Sequence, residues 1–229
     1  MLLLLPNLLN EEAAPDLFLP VSVDRAVQSL DGLIAESPKG GRHFLRRFCP
    51  ETFREIPIEL LNEHTQDNQI DELLKPLREG KTWGLVSDCG LPCLADPGAK
   101  LVARARQLGI PIQVFTGPSA IFFALMLSGL SAQSFAFHGY LEKDQGPLVQ
   151  QLLTLQKQKG THIFIEAPYR NQKMLEQLVK TLSDETLLCV AWDLTLPTQG
   201  VMCQSVRVWK KSPLPDINKK PAVFLFRVV

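Results

Sequence analysis

From Trp83 onward, apolar and polar stretches alternate in a regular rhythm. Short apolar runs bounded by turn residues predict strands at 82–87, 111–115, 135–138, 162–165, 187–192, 206–209 and 222–228. Between them lie stretches of helical period. The segment 99–108 places Leu101, Val102 and Ala105 on one face, and Gly109 stands where a helix C-terminal glycine belongs. Segments 148–157 and 172–182 are also helical, the second with Met174, Leu175 and Leu178 on one side. The segment 120–127 is apolar all round and predicts a helix buried on most sides. The opening Leu2-Leu3-Leu4-Leu5 lacks a basic leader and is stopped by Pro6, so it reads as a buried first strand rather than a signal segment.

Repeated strand–helix units imply an α/β architecture with right-handed crossovers. Wholly apolar strands imply sheets covered on both faces. After 187 no helix separates the strands, so antiparallel pairs are expected there. The polar segment 140–147 interrupts the rhythm with Glu142, Lys143, Asp144 and Gly146. It divides the chain into an N-terminal α/β domain at 1–141, mainly a parallel sheet, and a C-terminal α/β domain at 148–229 with a mixed sheet.

Composition narrows the classes. The 229 residues carry 24 Lys and Arg against 24 Asp and Glu, a net charge of zero. That excludes a uniformly basic nucleic-acid binder while leaving room for a local patch. Five irregularly spaced cysteines describe neither a disulfide framework nor a zinc set, so no metal is expected. They read as free thiols in a reducing cytoplasm. No apolar run reaches the length of a membrane span.

Ligands of open α/β sheets sit beyond the carboxyl ends of strands, and three such ends stand out. The first is Ser87-Asp88-Cys89-Gly90-Leu91-Pro92, followed by Asp96-Pro97-Gly98. Asp96 before Pro97 reads as a helix N-cap. Asp88 has no such role and reads as a ligand contact. The second is Thr116-Gly117-Pro118-Ser119-Ala120, a tight turn whose small residues admit a ligand to the backbone. The third is Glu166-Ala167-Pro168-Tyr169-Arg170, which serves either as an acid–base group or as a salt-bridged helix start. No glycine-rich phosphate loop is present. The first loop carries two carboxylates and no base before Lys100, so it suits a cationic ligand with hydroxyls, of which S-adenosylmethionine is one.

These loops in this order resemble the tetrapyrrole methylase superfamily. Within it they resemble the branch that 2′-O-methylates a cytidine ribose in 16S ribosomal RNA. Phe164, Glu166 and Arg170 match that branch's F-x-E-x-x-x-R, and Phe135 to Leu141 match its strand into the second domain. The resemblance implies two α/β domains with S-adenosylmethionine in the cleft between them, and a homodimer. It assigns cofactor contacts to Asp88, Leu91, Ser119, Ala120, Ile165, Ala191 and the Pro221-Ala222 region. Glu166 and Arg170 become the candidates for activating and positioning a hydroxyl. The partner is then ribosomal RNA or the small ribosomal subunit.

Two segments depart from the branch pattern. Leu5-Pro6-Asn7-Leu8-Leu9 lacks the usual glycine, and Glu36 to Arg42 matches E-D-T-R only loosely. Both lie on the substrate side. A small-molecule acceptor such as a tetrapyrrole and a non-catalytic cofactor-binding protein therefore stand as alternatives. Lys39, Arg42, Arg46, Arg47 and Arg54 form a basic cluster, read either as a phosphate-binding patch or as a solvated helix face. His64, after Asn62-Glu63, is a further polar candidate.

Overall fold

A computed structural model describes residues 1–228. They fall into two compact units, the first ending at Ser119 and the second beginning at Ala120.

The first unit contains β1 (Leu2–Leu4), α1 (Pro15–Phe18), α2 (Val21–Gln28), β2 (Gly32–Ala35), α3 (Pro38–Phe48) and β3 (Ile58–Leu60). It continues with α4 (Asp67–Leu73), α5 (Lys75–Arg78), β4 (Trp83–Val86), α6 (Ala99–Gln107) and β5 (Ile112–Val114). Its five strands run in the order β3-β2-β4-β1-β5, all parallel. Alternate side chains feed two cores. Leu3, Leu5, Leu33 and Val86 pack with Val23 and Val27 of α2 and Phe44 and Leu45 of α3. Leu2, Ile34, Trp83 and Leu85 pack with Ile70, Leu77, Leu101 and Ala105 on the other face.

The second unit contains α7 (Ala120–Ser128), β6 (Phe135–Tyr140), α8 (Gln145–Leu155), β7 (Thr161–Ile165) and α9 (Asn171–Thr181). Then follow β8 (Leu187–Trp192), β9 (Gly200–Ser205), α10 (Val206–Trp209) and β10 (Ala222–Arg227). The sheet order is β6-β7-β10-β8-β9. Only β6 and β7 are parallel; the other pairs are antiparallel. One face, with Phe164, Leu188, Val190, Phe224 and Phe226, packs on α8, α9 and α10. On the other face α7 lies against β8, β9 and β10.

Four details differ from the sequence reading. The division falls at 119/120 rather than in 142–147, because β6 is hydrogen-bonded to β7 and the 141–144 loop is a crossover inside the second unit. Lys143 O accepts from Arg170 there, and the Glu142 N–H donates to Gln151. The run 206–209 is a helical turn, and the strand is Gly200–Ser205 just before it. Val-x-x-Trp satisfies a helical spacing as well as a strand, and the turn lets Val206 and Trp209 both bury while Trp209 Nε1 donates to Leu188 O at 2.9 Å.

Asp96 is not an N-cap. Helix α6 begins at Ala99 with Gly98 as its cap, in a left-handed conformation (φ 139°). A Cβ at Gly98 would also meet Cys93 Sγ at 2.6 Å, so glycine is required on both counts. Finally, α7 buries Ile121, Ala124 and Leu125 but leaves Phe122, Leu127 and 77% of Met126 open to water.

Candidate functional site

The acidic loop after β4 is held by groups distant in sequence. Asn7, buried, directs its Nδ2 to Ser87 O at 3.1 Å and Asp88 O at 2.9 Å. Its Oδ1 accepts from the Leu8 N–H and from Arg47 Nη1, both at 2.9 Å. All four hydrogen-bonding positions of the amide are thereby used. The Asn7 N–H donates to Gly90 O at 2.8 Å, and the Gly90 N–H to Leu8 O at 3.3 Å. The segment after β1 that lacks the expected glycine is thus latched by an asparagine. Composition singled out no role for Asn7. The only signal was a polar residue directly after an apolar strand.

Asp88 also has structural work that its sequence context hid. Ser37, the N-cap of α3, accepts from the Gly40 N–H at 2.9 Å and donates its hydroxyl to Asp88 Oδ1 at 2.9 Å. The Asp88 N–H donates to Glu36 Oε2 at 3.2 Å. A Cβ at Gly40 would lie 2.0 Å from Asp88 Oδ1, so this glycine makes the space the carboxylate fills. The loosely matching 36–42 segment and the Asp88 loop are therefore one assembly.

Three carboxylates, Glu36, Asp88 and Asp96, gather there. Burial first, then the Glu36 charge, with Asp88 adding to it, pushes Asp96 up to about 6 despite a hydrogen bond from Ser87. Cys93, half-buried, is pushed up to about 11 by burial and then Asp96, so it stays a protonated thiol at neutral pH. Cys93 (φ 67°) and Ala95 (φ 71°) both hold left-handed backbone, a strain that clusters at ligand sites. Leu91 sits half-buried in the same loop. A cleft of about 380 Å³ opens beside it, lined among others by Asn7, Glu11, His43, Arg47 and Asp88.

The second loop packs against the first strand's exit. Gly117 lies on the Pro6 ring, Ser119 is buried, and Ala120 opens α7.

In the second unit, Ile165, Val223, Ala191 and Val201 form one row across the sheet by direct register pairing. Ile165 and Ala191 are thus brought together on one face. Ala222 is on the other: its side chain joins the core with Phe224, so only its backbone is available to a ligand. Glu166, buried, accepts from the Ala167 N–H at 2.7 Å through Oε1. Its Oε2 lies 3.1 Å from Arg170 Nη2 in an ion pair but receives no well-aligned hydrogen bond. Arg170 occupies the N-cap position of α9, but its side chain makes no capping hydrogen bond there. Glu166 and Arg170 line a cleft of about 560 Å³ with Lys143, Lys173, Lys180 and Glu176.

The basic cluster divides. Arg42 is internal, donating to Phe53 O at 2.8 Å and Ile56 O at 2.7 Å, and Arg47 serves Asn7. Lys39, Arg46 and Arg54 remain exposed. His64 is exposed beside Glu63 and joins no cluster. Among the described residues no group of three or more His, Cys, Asp or Glu is placed to hold a metal. No helix there is long and apolar enough to cross a membrane.

Residues 18–206 match the family model of the Tetrapyrrole (Corrin/Porphyrin) Methylases. The chain is 30% identical over 161 residues to Ribosomal RNA small subunit methyltransferase I of Bacillus subtilis, covering 70% of this chain and 54% of that protein. The protein of the same name from Synechocystis is 34% identical over 169 residues, 74% and 59% of the two chains. That from Xylella fastidiosa is 30% identical over 196 residues, 86% and 70%. The chain thus spans a little over half the length of the first two relatives.

Among solved structures, the methyltransferase CobJ superposes with a TM-score of 0.65 at 15% identity, over 98% of this chain and 92% of that one. Cobalt precorrin-4 methyltransferase gives 0.63 at 17%, over 99% and 93%. At such identities these two likenesses concern the fold alone. The family match spans most of the chain, including the loops at 87–98, 116–120 and 166–170, and the protein belongs to the tetrapyrrole (corrin/porphyrin) methylase family.

Proposed function

We propose that the chain is an S-adenosylmethionine-dependent methyltransferase whose acceptor is a ribose 2′-hydroxyl of small-subunit ribosomal RNA. The observation that carries the donor assignment is the carboxylate group of the first loop. Glu36, Asp88 and Asp96 repel one another in a half-buried setting, and a bound sulfonium and ammonium relieve that repulsion. S-adenosylmethionine, when bound, supplies an electrophilic methyl group. Asp88 and Asp96 then hold cationic or hydroxyl groups, and Leu91, Ser119 and Ala120 offer apolar and backbone contact. In the second unit Ile165, Ala191 and the Ala222 backbone do the same. Alignment of the two reactants supplies most of the acceleration.

The RNA reading is supported by the names of the relatives, each a ribosomal RNA small subunit methyltransferase I. Lys143, Lys173 and Lys180 line the second unit's cleft, suited to phosphates. The open lone pairs of Glu166 Oε2 can accept a ribose hydroxyl, drawing its proton, while the ion pair with Arg170 holds that carboxylate in place. Such an acceptor places the protein in the cytoplasm. The open face of α7, with Phe122 against Phe135 and Met126 beside them in sequence, suits a homodimer contact.

Two measurements test this reading. Titration calorimetry should show S-adenosylmethionine binding that strengthens as pH rises from 5 to 7, with a midpoint near 6, because Asp96 must ionise to pair with a cation. Asp96→Asn should flatten that profile, and Asp88→Ala should weaken binding by roughly 10–100-fold, the worth of a charge-assisted hydrogen bond. Without ligand the sign reverses. Asp96 keeps its proton longer folded than unfolded, so stability should fall as pH rises through about 4 to 6 and level off above. No heat of binding by pure protein at any pH rejects the donor assignment.

The acceptor is read by transfer of labelled methyl to small subunits lacking the ribose modification, followed by mass mapping of the RNA. Wild type should label a 2′-O position, and Lys173→Glu with Lys180→Glu should reduce labelling more at low salt than at high, because fewer phosphate contacts flatten the salt dependence. Label found only in small molecules rejects RNA, and light scattering of the same sample at the single-chain mass rejects the dimer.

A further inference from the structure

Five free cysteines are present, and two of them face each other. Cys189 on β8 and Cys203 on β9 are direct register partners in an antiparallel pair. Residues so paired have Cα atoms about 4.5–5.5 Å apart. Disulfides form with Cα separations of about 4.4–6.8 Å, so the backbone already satisfies the requirement. Their side chains share one face of the sheet, and the two sulfurs are within hydrogen-bonding reach of each other. Closing an S–S bond therefore shortens an existing contact and moves no strand.

The two thiols are also unequal. Cys189 is fully buried, whereas Cys203 is exposed on the edge strand β9. The neighbouring sulfur pushes the Cys203 thiol down, whereas the same contact together with burial pushes the Cys189 thiol up. Cys203 is thus the accessible nucleophile and Cys189 the sheltered partner. The other three lack this arrangement. Cys49 sits in an apolar core, and Cys89 and Cys93 are pushed up to about 11 by desolvation and neighbouring carboxylates.

We infer that Cys189 and Cys203 are a site of reversible oxidation, closing a disulfide between β8 and β9 when a hydroperoxide reaches Cys203. The Cys203 thiolate sulfur attacks the peroxide oxygen and the O–O bond breaks. The departing oxygen takes up a proton as water or an alcohol, leaving a sulfenic acid on Cys203. Cys189 sulfur then attacks that sulfur, the S–O bond breaks, and hydroxide leaves with the Cys189 proton as water. Two thiols lose two electrons and two protons, and one hydroperoxide is reduced. The link closes the connection between β8 and β9, in which Asp193 and Thr195 hold left-handed backbone, and pins the edge strand. This inference is independent of the donor and acceptor assignments above.

The full chain treated with hydrogen peroxide and then titrated for thiols should fall from five reactive groups under denaturation to three. Unreduced peptide mapping should recover the 189–203 pair, and dithiothreitol should restore both thiols. Cys203→Ser, a change at an exposed site, should leave Cys189 alkylatable after the same treatment. In Cys189→Ser, a sulfenic-acid trap should label Cys203. Hydrogen exchange should slow across 193–199 on oxidation of wild type only. Recovery of Cys203 as sulfinic acid beside an unmodified Cys189 in the folded wild type overturns the proposal, as does a disulfide mapped to any other pair.

Discussion

Gly117→Ala is expected to destabilise the first unit by about 3 kcal/mol, the upper part of the range for forcing atoms into a packed site. A Cβ built at Gly117 lies 2.0 Å from Pro6 Cβ and 2.6 Å from Pro6 Cγ. Neither atom can swing aside, because the proline ring is closed and its φ is locked. Pro6 is also anchored on both sides. The Leu5 N–H donates to Leu85 O at 2.9 Å, and the Asn7 N–H to Gly90 O at 2.8 Å. The added methyl therefore pushes the 116–119 turn away from the loop that Asn7 latches.

Urea denaturation followed by hydrogen exchange in β1 and β4 measures the loss. Gly146→Ala provides the contrast, since nothing lies within 4 Å of its added methyl and it stands in the first turn of α8. That variant should be neutral or slightly more stable. Equal midpoints for Gly117→Ala and wild type would show that the turn does not rest on Pro6.

Phe164→Ala is expected to cost about 4 kcal/mol, as fully buried phenylalanines do when truncated. Phe164 has no exposed surface. Its ring stacks on Phe224 at 5.4 Å between centroids and meets Phe226 edge-on at 6.3 Å. The truncation removes both contacts and leaves a cavity between β7 and β10 that aromatic neighbours cannot fill without leaving their own positions. Phe164→Leu, closer in volume, should recover more than half of the loss. The readout is the unfolding midpoint together with exchange protection in β7, β8 and β10. If Phe164→Ala costs no more than Phe164→Leu, the site relaxes freely and the stacked rings contribute little.

Much of the architecture was legible in the chain because it depends on local rules. A strand that is apolar throughout must be buried on both sides, and 83–86 and 187–192 could hardly be anything else. Gly109 ends α6 with φ 70° because a helix stop needs a left-handed residue, and glycine is the cheapest one. Antiparallel pairing after residue 187 was legible because no helix long enough for a parallel crossover was expected there, and the one helix found, α10, is a single turn. Where two local rules agreed with the same residues, the sequence was silent. Val206 to Trp209 suits a strand or a helical turn equally, and burial of Trp209 beneath Leu188 decides it.

Residue type along the chain determined the first strand and most of those after residue 82, the glycine stops, the mixed second sheet and the acidic character of the loop at Ser87 to Asp96. Those are properties of a residue and its near neighbours. Only the tertiary structure decided what each group touches. Arg42 and Arg47, expected on a basic surface, turn inward to carbonyls and to Asn7 because unpaired oxygens there need donors. Asp88 fills the space left by Gly40 and supports the α3 N-cap 51 residues away from it in the chain. Gly32 faces the Trp83 ring and Gly200 the Trp192 ring because each pair stands in register on neighbouring strands. Cys189 and Cys203 meet for the same reason. Register is set by the whole sheet's burial rather than by any one residue, so partners across strands are fixed only when the sheet closes.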